Sequence, residues 1–473
     1  MPEVRDRYAP SPTGALHLGG ARTALFNYLF ARQQRGQFLL RIEDTDRVRF
    51  KEGSQALIEE GLQWLGLSWD EPPIVQSTRK PIYQQAAEGL LASGAAYRCF
   101  CTPERLNEMR ADQRARKEPE RYDRRCRAIP PEEAQRRADA GERFVIRQAI
   151  PLDGTTTLHD LVMGTVTFQN ASLDDHVLLK SDGSPTYHLA FAVDDHESRI
   201  SHVIRGDGWL PSAPKHLLLF EAFHWDAPAF AHLPLVLGAD KKPLAKRHGA
   251  KDVLEYREAG YLPEAVVNFI AFLGWSPGTT EDILTMDQLI EQFRSDKIQS
   301  SPAIANLERL DWLNGQFIRR LAPDELARRI AEGMPGVSVD ALIPLIPLIQ
   351  ERLRTLNEAH EMLQFFFEDP TSYAGKPLVP KGRDAVQTVD ALARVRSAIS
   401  PLTEWTVGVL EPVLRSTAEQ IGWPAKDLFM TLRVAITGRT VTPPLIESMG
   451  RLGKARVLER LTRAAAAVDP TSA

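Results

Sequence analysis

The spacing of hydrophobic positions near the N-terminus alternates between that of strands and that of helices. The segment 4–8 predicts a short strand and the largely apolar run at 38–42 a buried strand, and Leu25, Phe26, Leu29 and Phe30 predict a helix over 21–31. Helical spacing recurs over 54–65 and 82–93. Strands that alternate with helices in this way are typical of an α/β fold built on a parallel sheet.

The pattern changes after residue 96. A stretch rich in Arg, Glu and Lys predicts solvated helix over 104–142, and two antiparallel strands are predicted at 144–147 and 162–168. The parallel fold is predicted to resume with strands at 186–191, 202–206 and 235–238. We therefore interpret 96–180 as an insertion between two halves of one α/β domain.

From about residue 261 onward the hydrophobic spacing is almost wholly helical. Pro323 followed by Asp324 and Glu325 is typical of a helix start, and no convincing strand follows. We predict five segments: the first half of a Rossmann-type domain, an insertion, the second half of that domain, a helical region, and a C-terminal helical bundle. Their predicted bounds are 1–95, 96–180, 181–255, 256–321 and 322–473.

Composition limits the classes of protein that are compatible with this chain. Its 473 residues suffice for roughly three domains, and its 43% hydrophobic and 25% charged residues are ordinary for a soluble protein. No signal peptide or membrane-spanning run is predicted. The net charge of −4 argues against nonspecific coating with nucleic acid but allows a local basic face. Three cysteines leave at least one unpaired, which favours a reducing cytoplasm.

Two segments carry chemistry. The predicted turn before the first helix contains His17, Gly19 and Gly20. Small residues allow close approach of a nucleotide, and the N–H groups at a helix start favour phosphate. The second segment, 240–249, is a basic loop that could neutralise phosphate charge, although a run of charges is usually only a solvated face.

The two segments resemble the signature sequences of class I aminoacyl-tRNA synthetases, HLGG at 17–20 standing for HIGH and PLAKR at 243–247 for KMSKS. Longer matches cover nearly the whole chain and are similar to the bacterial glutamyl-tRNA synthetase family. They include RYAPSPTG, RIEDTD, PTYHLA, HVIRGDGWL, FLGWSPG and LERLDWLNGQFI.

The resemblance implies an α/β class I synthetase fold. A Rossmann-type catalytic domain would contain an inserted acceptor-end-binding domain, and a helical stem-contact region and an all-helical anticodon-binding bundle would follow. It also implies ATP-dependent activation of L-glutamate to glutamyl-adenylate, with Mg²⁺ accompanying ATP, and transfer to the 3′-terminal adenosine of tRNA(Glu). We expect a cytoplasmic monomer that makes no membrane contact.

The resemblance also implies roles for single residues. His17 and Lys246 would be catalytic, and the expected ATP-binding residues are His17, Gly19, Gly20, Lys242, Lys246 and Arg247. The loop departs from the family pattern, since Pro243 replaces a lysine and Ala245 replaces a serine. Lys242 could substitute for the lost lysine through its flexible stem.

Glutamate recognition requires cations for its carboxylates. Arg7 and Arg205 end predicted parallel strands, so both should project to the same sheet edge, where a guanidinium can bind a carboxylate through two hydrogen bonds. A structural ion pair is the alternative for each. Glu43 would pair with the α-ammonium group, and Ser11 and Tyr187 would add hydrogen bonds. Phe191 stands where the family has an amide.

Cys99, Cys101 and Cys126 resemble a zinc-binding insert of some glutamyl-tRNA synthetases. The expected fourth ligand is replaced by Ala128, and Tyr122 is a less usual alternative. Three buried thiols without metal are the other interpretation, so no metal is assigned.

Arginines recur in the C-terminal region at spacings that could line one face of the bundle. Solvated charge is the default, but after a class I catalytic domain we predict contacts with anticodon-loop phosphates and bases. The predicted tRNA-binding residues are Arg319, Arg320, Arg352 and Arg354.

Helices in this position favour the glutamyl branch, because glutaminyl enzymes carry β-barrels there. Two rival functions are a glutamate-activating paralogue that modifies a tRNA base, which would lack the bundle, and a non-catalytic tRNA-binding scaffold.

Overall fold

The computed structural model describes residues 3–46, 49–244, 251–370, 373 and 378–468. The chain divides into two compact units, Met1–Glu258 with Pro263–Leu310 and Ala259–Leu262 with Asp311–Ala473, here called the first and second units. The finer division into five segments stays a prediction.

The strands of the described residues all lie in the first unit. They are β1 (Arg5–Tyr8), β2 (Gln37–Ile42), β3 (Ile74–Val75), β4 (Ala96–Cys99), β5 (Val145–Gln148), β6 (Thr155–Asp160), β7 (Gly164–Gln169), β8 (Val177–Leu179), β9 (His202–Gly206), β10 (Ala229–Leu233), β11 (Val236–Leu237) and β12 (Ala303–Ile304).

The helices that lie wholly within the first unit are α1 (Leu18–Gln33), α2 (Ser54–Trp64), α3 (Lys80–Ala92), α4 (Pro103–Ala115), α5 (Pro131–Asp139), α6 (Tyr187–Glu197), α7 (Ala213–Ala222), α8 (Val253–Glu258), α9 (Pro263–Ala271) and α10 (Met286–Gln292).

Parallel strands form the part of the first unit that positions the site. β1, β2 and β3 pair in that order, and β9 pairs in parallel with β10. β9 lies beside β1, where the Ser201 N–H donates to the carbonyl of Arg5 at 2.8 Å. The hydrogen-bonded sheets β1-β2-β3 and β7-β6-β10-β9 therefore meet at β1 and β9. Across that junction the order β3-β2-β1-β9-β10 is that of a doubly wound α/β fold, and it reverses between β1 and β9. α1 packs on this sheet with Leu25, Phe26 and Leu29 fully buried, as the helical spacing predicted.

Two antiparallel groups lie between these parallel strands in the sequence. β4, β5 and β8 form one sheet, whereas β6 and β7 form a hairpin whose β6 edge pairs with β10. The predicted strands at 144–147 and 162–168 therefore exist but belong to different sheets. The predicted helix over 104–142 is two separate helices, α4 and α5, with buried Tyr122 between them.

The prediction of a strand at 186–191 was wrong. Thr186 precedes α6, and the residues from Leu189 to Asp195 are buried around the whole helix. An apolar run without a polar face has no periodicity that distinguishes a buried strand from a buried helix. The predicted strand at 235–238 is only two residues long, and it pairs with β12 rather than with the main sheet.

The second unit is helical throughout its described residues. Its helices are α11 (Leu307–Arg320), which begins in the first unit, α12 (Pro323–Glu332), α13 (Val339–Leu342), α14 (Ile346–Ile349), α15 (Asn357–Phe367), α16 (Ala385–Ile399), α17 (Val407–Gln420), α18 (Ala425–Thr437), α19 (Leu445–Leu452) and α20 (Lys454–Val468).

Buried Arg460 of α20 ties three parts of this unit together. Its guanidinium donates to the carbonyls of Ile436 on α18 and Phe365 on α15, each at 2.7 Å, and to Asp369. Among the residues described in both units, no helix has the length and apolar character needed to cross a membrane.

Candidate active site

A cavity of about 730 Å³ opens at the carboxyl ends of β1 and β9, where the strand order reverses. Open α/β sheets bind their ligands at this position. Among the predicted site residues, those that line the cavity are Arg7, Ser11, His17, Glu43, Tyr187 and Arg205. The cavity is therefore the candidate active site.

His17 forms the N-cap of α1. Its Nδ1 accepts the N–H of Gly20 at 3.1 Å, so Nδ1 carries a lone pair, and in the neutral ring the proton lies on Nε2. Desolvation lowers the pKa of the imidazole and favours this neutral form. Nε2 is then a donor for a ligand in the cavity, beside the N–H groups at the start of the helix.

Gly20 is required by packing inside the protein. A Cβ atom at this position would lie 2.7 Å from the Tyr8 hydroxyl, whereas a Cβ on Gly19 would meet the His17 ring at 3.3 Å. Gly19 and Gly20 do not appear among the described residues that line the cavity. Their predicted role at ATP stays a prediction.

Both described flanks of the basic loop are anchored beside the cavity. On one side the Leu244 N–H donates to Val236 of β11 at 3.0 Å, and on the other the Val253 N–H donates to the carbonyl of Leu16 at 2.8 Å. Leu244 and Lys251 line the cavity. The predicted site residues Lys246 and Arg247, with Ala245, lie outside the described residues. Lys242 is exposed and is not among the lining residues.

One buried wall of the cavity contains a network of ion pairs. Arg7 donates from Nε and Nη2 to the two carboxylate oxygens of Asp195, at 3.0 and 3.3 Å. Arg41 also donates to Asp195, and it contacts Glu43 Oε1 through Nη2 at 2.9 Å. Burial acts to raise the pKa of Asp195, but Arg41 and Arg7 together outweigh it and lower the pKa. At Glu43 burial prevails, and the pKa is raised despite Arg41. Two cations and two anions are thus paired within this wall.

Arg205 differs from Arg7 because its hydrogen-bond partners are neutral. Its Nη1 donates to the Tyr187 hydroxyl at 3.1 Å and contacts His216 Nδ1 at 3.2 Å, and its Nε donates to His232 Nε2 at 3.0 Å. Nη2 contacts the Trp209 carbonyl at 3.4 Å. No carboxylate among the described residues forms an ion pair with this guanidinium, which is 5% exposed. With Arg7 and Arg41 paired to Asp195 and Glu43, Arg205 gives the buried wall a net charge of about +1.

Phe191 lies beneath these cations on α6. Its ring is fully buried, and the guanidinium carbons of Arg7, Arg41 and Arg205 lie 5.5, 5.9 and 5.0 Å from its centre. It also stacks on His216, with centroids 4.1 Å apart. An aromatic face attracts cations at this range. The ring in place of the family's amide therefore supports the arginines without adding a hydrogen-bonding group.

Arg41, Asp195 and Trp209 were missed by the sequence interpretation. Trp209 lines the cavity and packs against Tyr187, with ring centroids 4.3 Å apart and the ring planes tilted by 32°. The adjacent acids Asp194 and Asp195 in an otherwise apolar stretch were a usable signal, because charged groups in a buried segment need partners.

The three cysteines come together in the first unit. Their sulfurs all lie within 4.8 Å of one another, and the Tyr122 hydroxyl is 3.2 Å from Cys99 Sγ and 3.4 Å from Cys101 Sγ. The neighbouring Cys126 thiol, more than any other group, lowers the pKa of the Cys99 thiol to about 4. The three sulfurs can supply three of the four ligands of a tetrahedral zinc site, and the Tyr122 hydroxyl lies where a fourth donor would be needed.

The arginines predicted to contact tRNA lie in the second unit. Arg319 of α11 forms an ion pair with Glu351 at 3.3 Å, which brings the end of α11 next to the segment that carries Arg352 and Arg354. Arg320, Arg352 and Arg354 are exposed. Their role stays a prediction.

Comparison with known proteins places both units in one family. Residues 3–312 match the catalytic domain of class I tRNA synthetases (E and Q), and residues 310–465 match an anticodon binding domain. The glutamate–tRNA ligase of Dehalococcoides mccartyi (strain BAV1) is 46% identical over 98% of this chain and 97% of its own length. That of Herpetosiphon aurantiacus is 42% identical over 99% of this chain and 98% of its own length. A glutamate–tRNA ligase of Elizabethkingia meningosepticum, crystallised with its amino acid, has a TM-score of 0.87 at 36% identity and covers 99% of this chain and 100% of its own.

The doubly wound sheet, its cavity and these matches define a class I aminoacyl-tRNA synthetase with a C-terminal anticodon-binding domain, so the predicted fold class is confirmed. The group is the one for glutamate and glutamine. Within it, the chain belongs to the glutamate–tRNA ligase family.

Proposed function

We propose that the cavity of the first unit activates L-glutamate with ATP and transfers it to the 3′-terminal adenosine of tRNA(Glu). In the first step an α-carboxylate oxygen of glutamate attacks the α-phosphorus of ATP, and the bond to pyrophosphate breaks. In the second step the terminal ribose 2′-hydroxyl attacks the carbonyl carbon of the adenylate, loses its proton, and AMP leaves. Mg²⁺ bound to ATP would neutralise part of the phosphate charge.

The observation that carries this proposal is the charge of the buried wall. L-glutamate has two carboxylates and one ammonium group at neutral pH, hence a net charge of −1. Among the described residues of the wall, Arg205 is the one cation that forms no ion pair with a carboxylate. Glutamine is neutral and would leave that cation without a counter-charge. Leaving a buried polar group unpaired is what gives such sites strong discrimination.

A count of hydrogen-bond donors suggests how the substrate is held. Four of the five Arg205 N–H groups have protein partners, which leaves one Nη2–H, and the Tyr187 O–H is free to donate because its oxygen accepts from Arg205. Arg7 retains three N–H groups beyond those used by Asp195. We assign Arg205 with Tyr187, and Arg7, to the carboxylates, and Glu43 to the ammonium group, with Ser11 as a further hydrogen-bonding residue.

The phosphates of ATP would lie at the start of α1. His17 Nε2 would donate to a phosphate oxygen, and Lys246 and Arg247 of the basic loop would supply positive charge. Lys242 would substitute for the lysine that Pro243 replaces. Such preorganised donors stabilise charge that develops in the transition state, and the protein itself contributes no covalent chemistry.

The proposal includes a structural zinc ion in the insertion. Cys99, Cys101, Cys126 and Tyr122 would hold it, since three sulfurs and the hydroxyl form a four-donor cluster. Such an ion would tie β4 to the segment before α5, and it has no part in the reaction. In the second unit, Arg319, Arg320, Arg352 and Arg354 would contact the anticodon arm. The cytoplasmic location and the monomeric state stay predictions.

The proposal is tested by charging purified tRNA(Glu) and tRNA(Gln) side by side with radiolabelled glutamate, together with ATP–pyrophosphate exchange with and without tRNA. We expect charging of tRNA(Glu) and tRNA-stimulated exchange. Glutamate attached to an anticodon base would instead indicate the modifying paralogue. It would be identified because tRNA whose 3′-terminal ribose has been oxidised with periodate would still accept glutamate. Binding of tRNA without any exchange would indicate a scaffold.

A further inference from the structure

Behind Arg205 lie two buried side chains, His232 and Asp160, which are not among the residues that line the cavity. His232 Nε2 accepts the Nε–H of Arg205 at 3.0 Å, and His232 Nδ1 lies 2.6 Å from Asp160 Oδ2. The His232 ring is fully buried and Asp160 is 6% exposed. Asp160 ends β6 and His232 lies on β10, next to β9, so three strands hold the series Asp160–His232–Arg205.

The direction of the hydrogen bonds in this series is determined by chemistry. A guanidinium can only donate, so His232 must offer a lone pair at Nε2 and carry its proton on Nδ1. Asp160 Oδ2 accepts that proton. Asp160 Oδ1 is already used by the N–H groups of Val162 and Met163, at 2.9 and 2.8 Å, and by the His232 N–H. The carboxylate is thereby oriented, and it selects the tautomer of the ring.

The contrast with Arg7 shows what this arrangement achieves. Asp195 touches Arg7 directly and neutralises it. At Arg205 an uncharged ring stands between the cation and the nearest anion of the series, so the guanidinium is oriented while its charge remains available. His216 contacts Arg205 in the same way from α7, and its own Nε2 contacts His188 at 3.0 Å rather than a carboxylate.

We propose that His232 is a positioning residue that orients Arg205 without cancelling its charge, that Asp160 sets the tautomer of His232, and that this separation of charge underlies selection of glutamate over glutamine. The inference rests on the proposed function, because it concerns how Arg205 meets the substrate carboxylate.

Two variants separate orientation from charge. His232→Gln offers a neutral oxygen at about the position of Nε2 and leaves Asp160 in place. The double variant Asp160→Asn/His232→Glu has the same total charge as the wild type but moves the negative charge into contact with Arg205. ATP–pyrophosphate exchange with saturating tRNA gives KM and kcat for glutamate, for glutamine and for ATP.

We expect His232→Gln to keep the glutamate KM within about fivefold of wild type, because both orientation and charge survive. The double variant should raise the glutamate KM by at least ~10-fold and narrow the preference for glutamate over glutamine by a similar factor. The KM for ATP should change less than ~2-fold in both variants, since the phosphates bind at α1. Equal glutamate KM values and equal selectivity in the two variants would overturn the proposal.

Asp160→Asn alone is the second test if the double variant does not fold. With its oxygen held by the backbone N–H groups, the amide would present NH₂ to His232 Nδ1 and force the ring proton onto Nε2, facing the Arg205 N–H. The glutamate KM should rise at least ~10-fold while the melting temperature stays near that of wild type. An unchanged glutamate KM would refute the assignment of Asp160. Absence of exchange in the wild type would instead contradict the proposed function itself.

Discussion

Among the described residues of the buried wall, Arg205 is the cation without a carboxylate partner, and replacing it by methionine removes that charge while keeping an unbranched side chain of similar length. For a carboxylate about 4 Å from the guanidinium, an effective dielectric constant of about 20 gives roughly 4 kcal/mol of lost attraction. That corresponds to about a 10³-fold fall in kcat/KM for glutamate. Because glutamine lacks the charge, its much weaker activity should fall far less, and the variant should discriminate poorly between the two amino acids.

Arg205→Lys keeps the charge and therefore measures geometry alone. The guanidinium contacts four acceptors, on Tyr187, His216, His232 and Trp209. A lysine ammonium has three donors, so at least one of the four acceptors is left without a hydrogen bond. Burying an unpaired acceptor costs about 1–3 kcal/mol. We expect a loss of roughly 10- to 100-fold in kcat/KM, smaller than that of the methionine variant.

The assay is tRNA-stimulated ATP–pyrophosphate exchange at varied glutamate and glutamine concentrations, with circular dichroism to check the fold. Arg35→Met is the matched control, because Arg35 is an exposed arginine just after α1 that lies outside the predicted insertion and does not line the cavity. If Arg205→Met kept kcat/KM for glutamate within about tenfold of wild type, the charge argument would be refuted.

Four further predictions follow from the same geometry. His17→Asn keeps an acceptor for the Gly20 N–H but loses the Nε2 donor, so adenylate formation should fall by about 100-fold at an unchanged melting temperature and tRNA affinity; equal loss of tRNA affinity would indicate a structural role. Lys246→Ala should lower kcat for activation by at least ~100-fold with little change in the glutamate KM; a larger effect of Lys242→Ala would contradict this alignment of the loop. Burial lowers the pKa of His188 from 6.5 to about 3, so the folded state disfavours its protonation and stability should fall below pH 6.5. Denaturant titrations should show that the free energy of unfolding falls by about 1.4 kcal/mol between pH 7.5 and 5.5 through this group. His188→Gln should abolish that contribution, and a pH dependence of stability that is the same in wild type and variant would rule out the role of His188. Elemental analysis should find one zinc ion per chain, lost in Cys99→Ser, and a metal-free wild type would favour three plain buried thiols.

Local features of the chain could be predicted from sequence alone. The strand β1, the turn with His17 and the helix α1 depend on neighbours within a few residues, so apolar spacing and turn residues were enough to predict them. The convergence of Arg7 and Arg205 also followed, because parallel strands bring their carboxyl ends to one edge of the sheet. The start of α12 at Pro323 was likewise predicted from its first turn.

Only the tertiary structure decided which of these charges are compensated. Arg7 and Arg41 meet Asp195 across 188 and 154 residues of chain, and His232 meets Asp160 across 72. The tertiary structure also decided that α6 is a helix, because its apolar run has no periodicity that distinguishes a helix from a strand. Sequence spacing carries information about side chains within a turn or two of one another. The partner of a buried charge is chosen by the packing of distant strands, and at Arg205 that packing supplies neutral rings instead of a carboxylate.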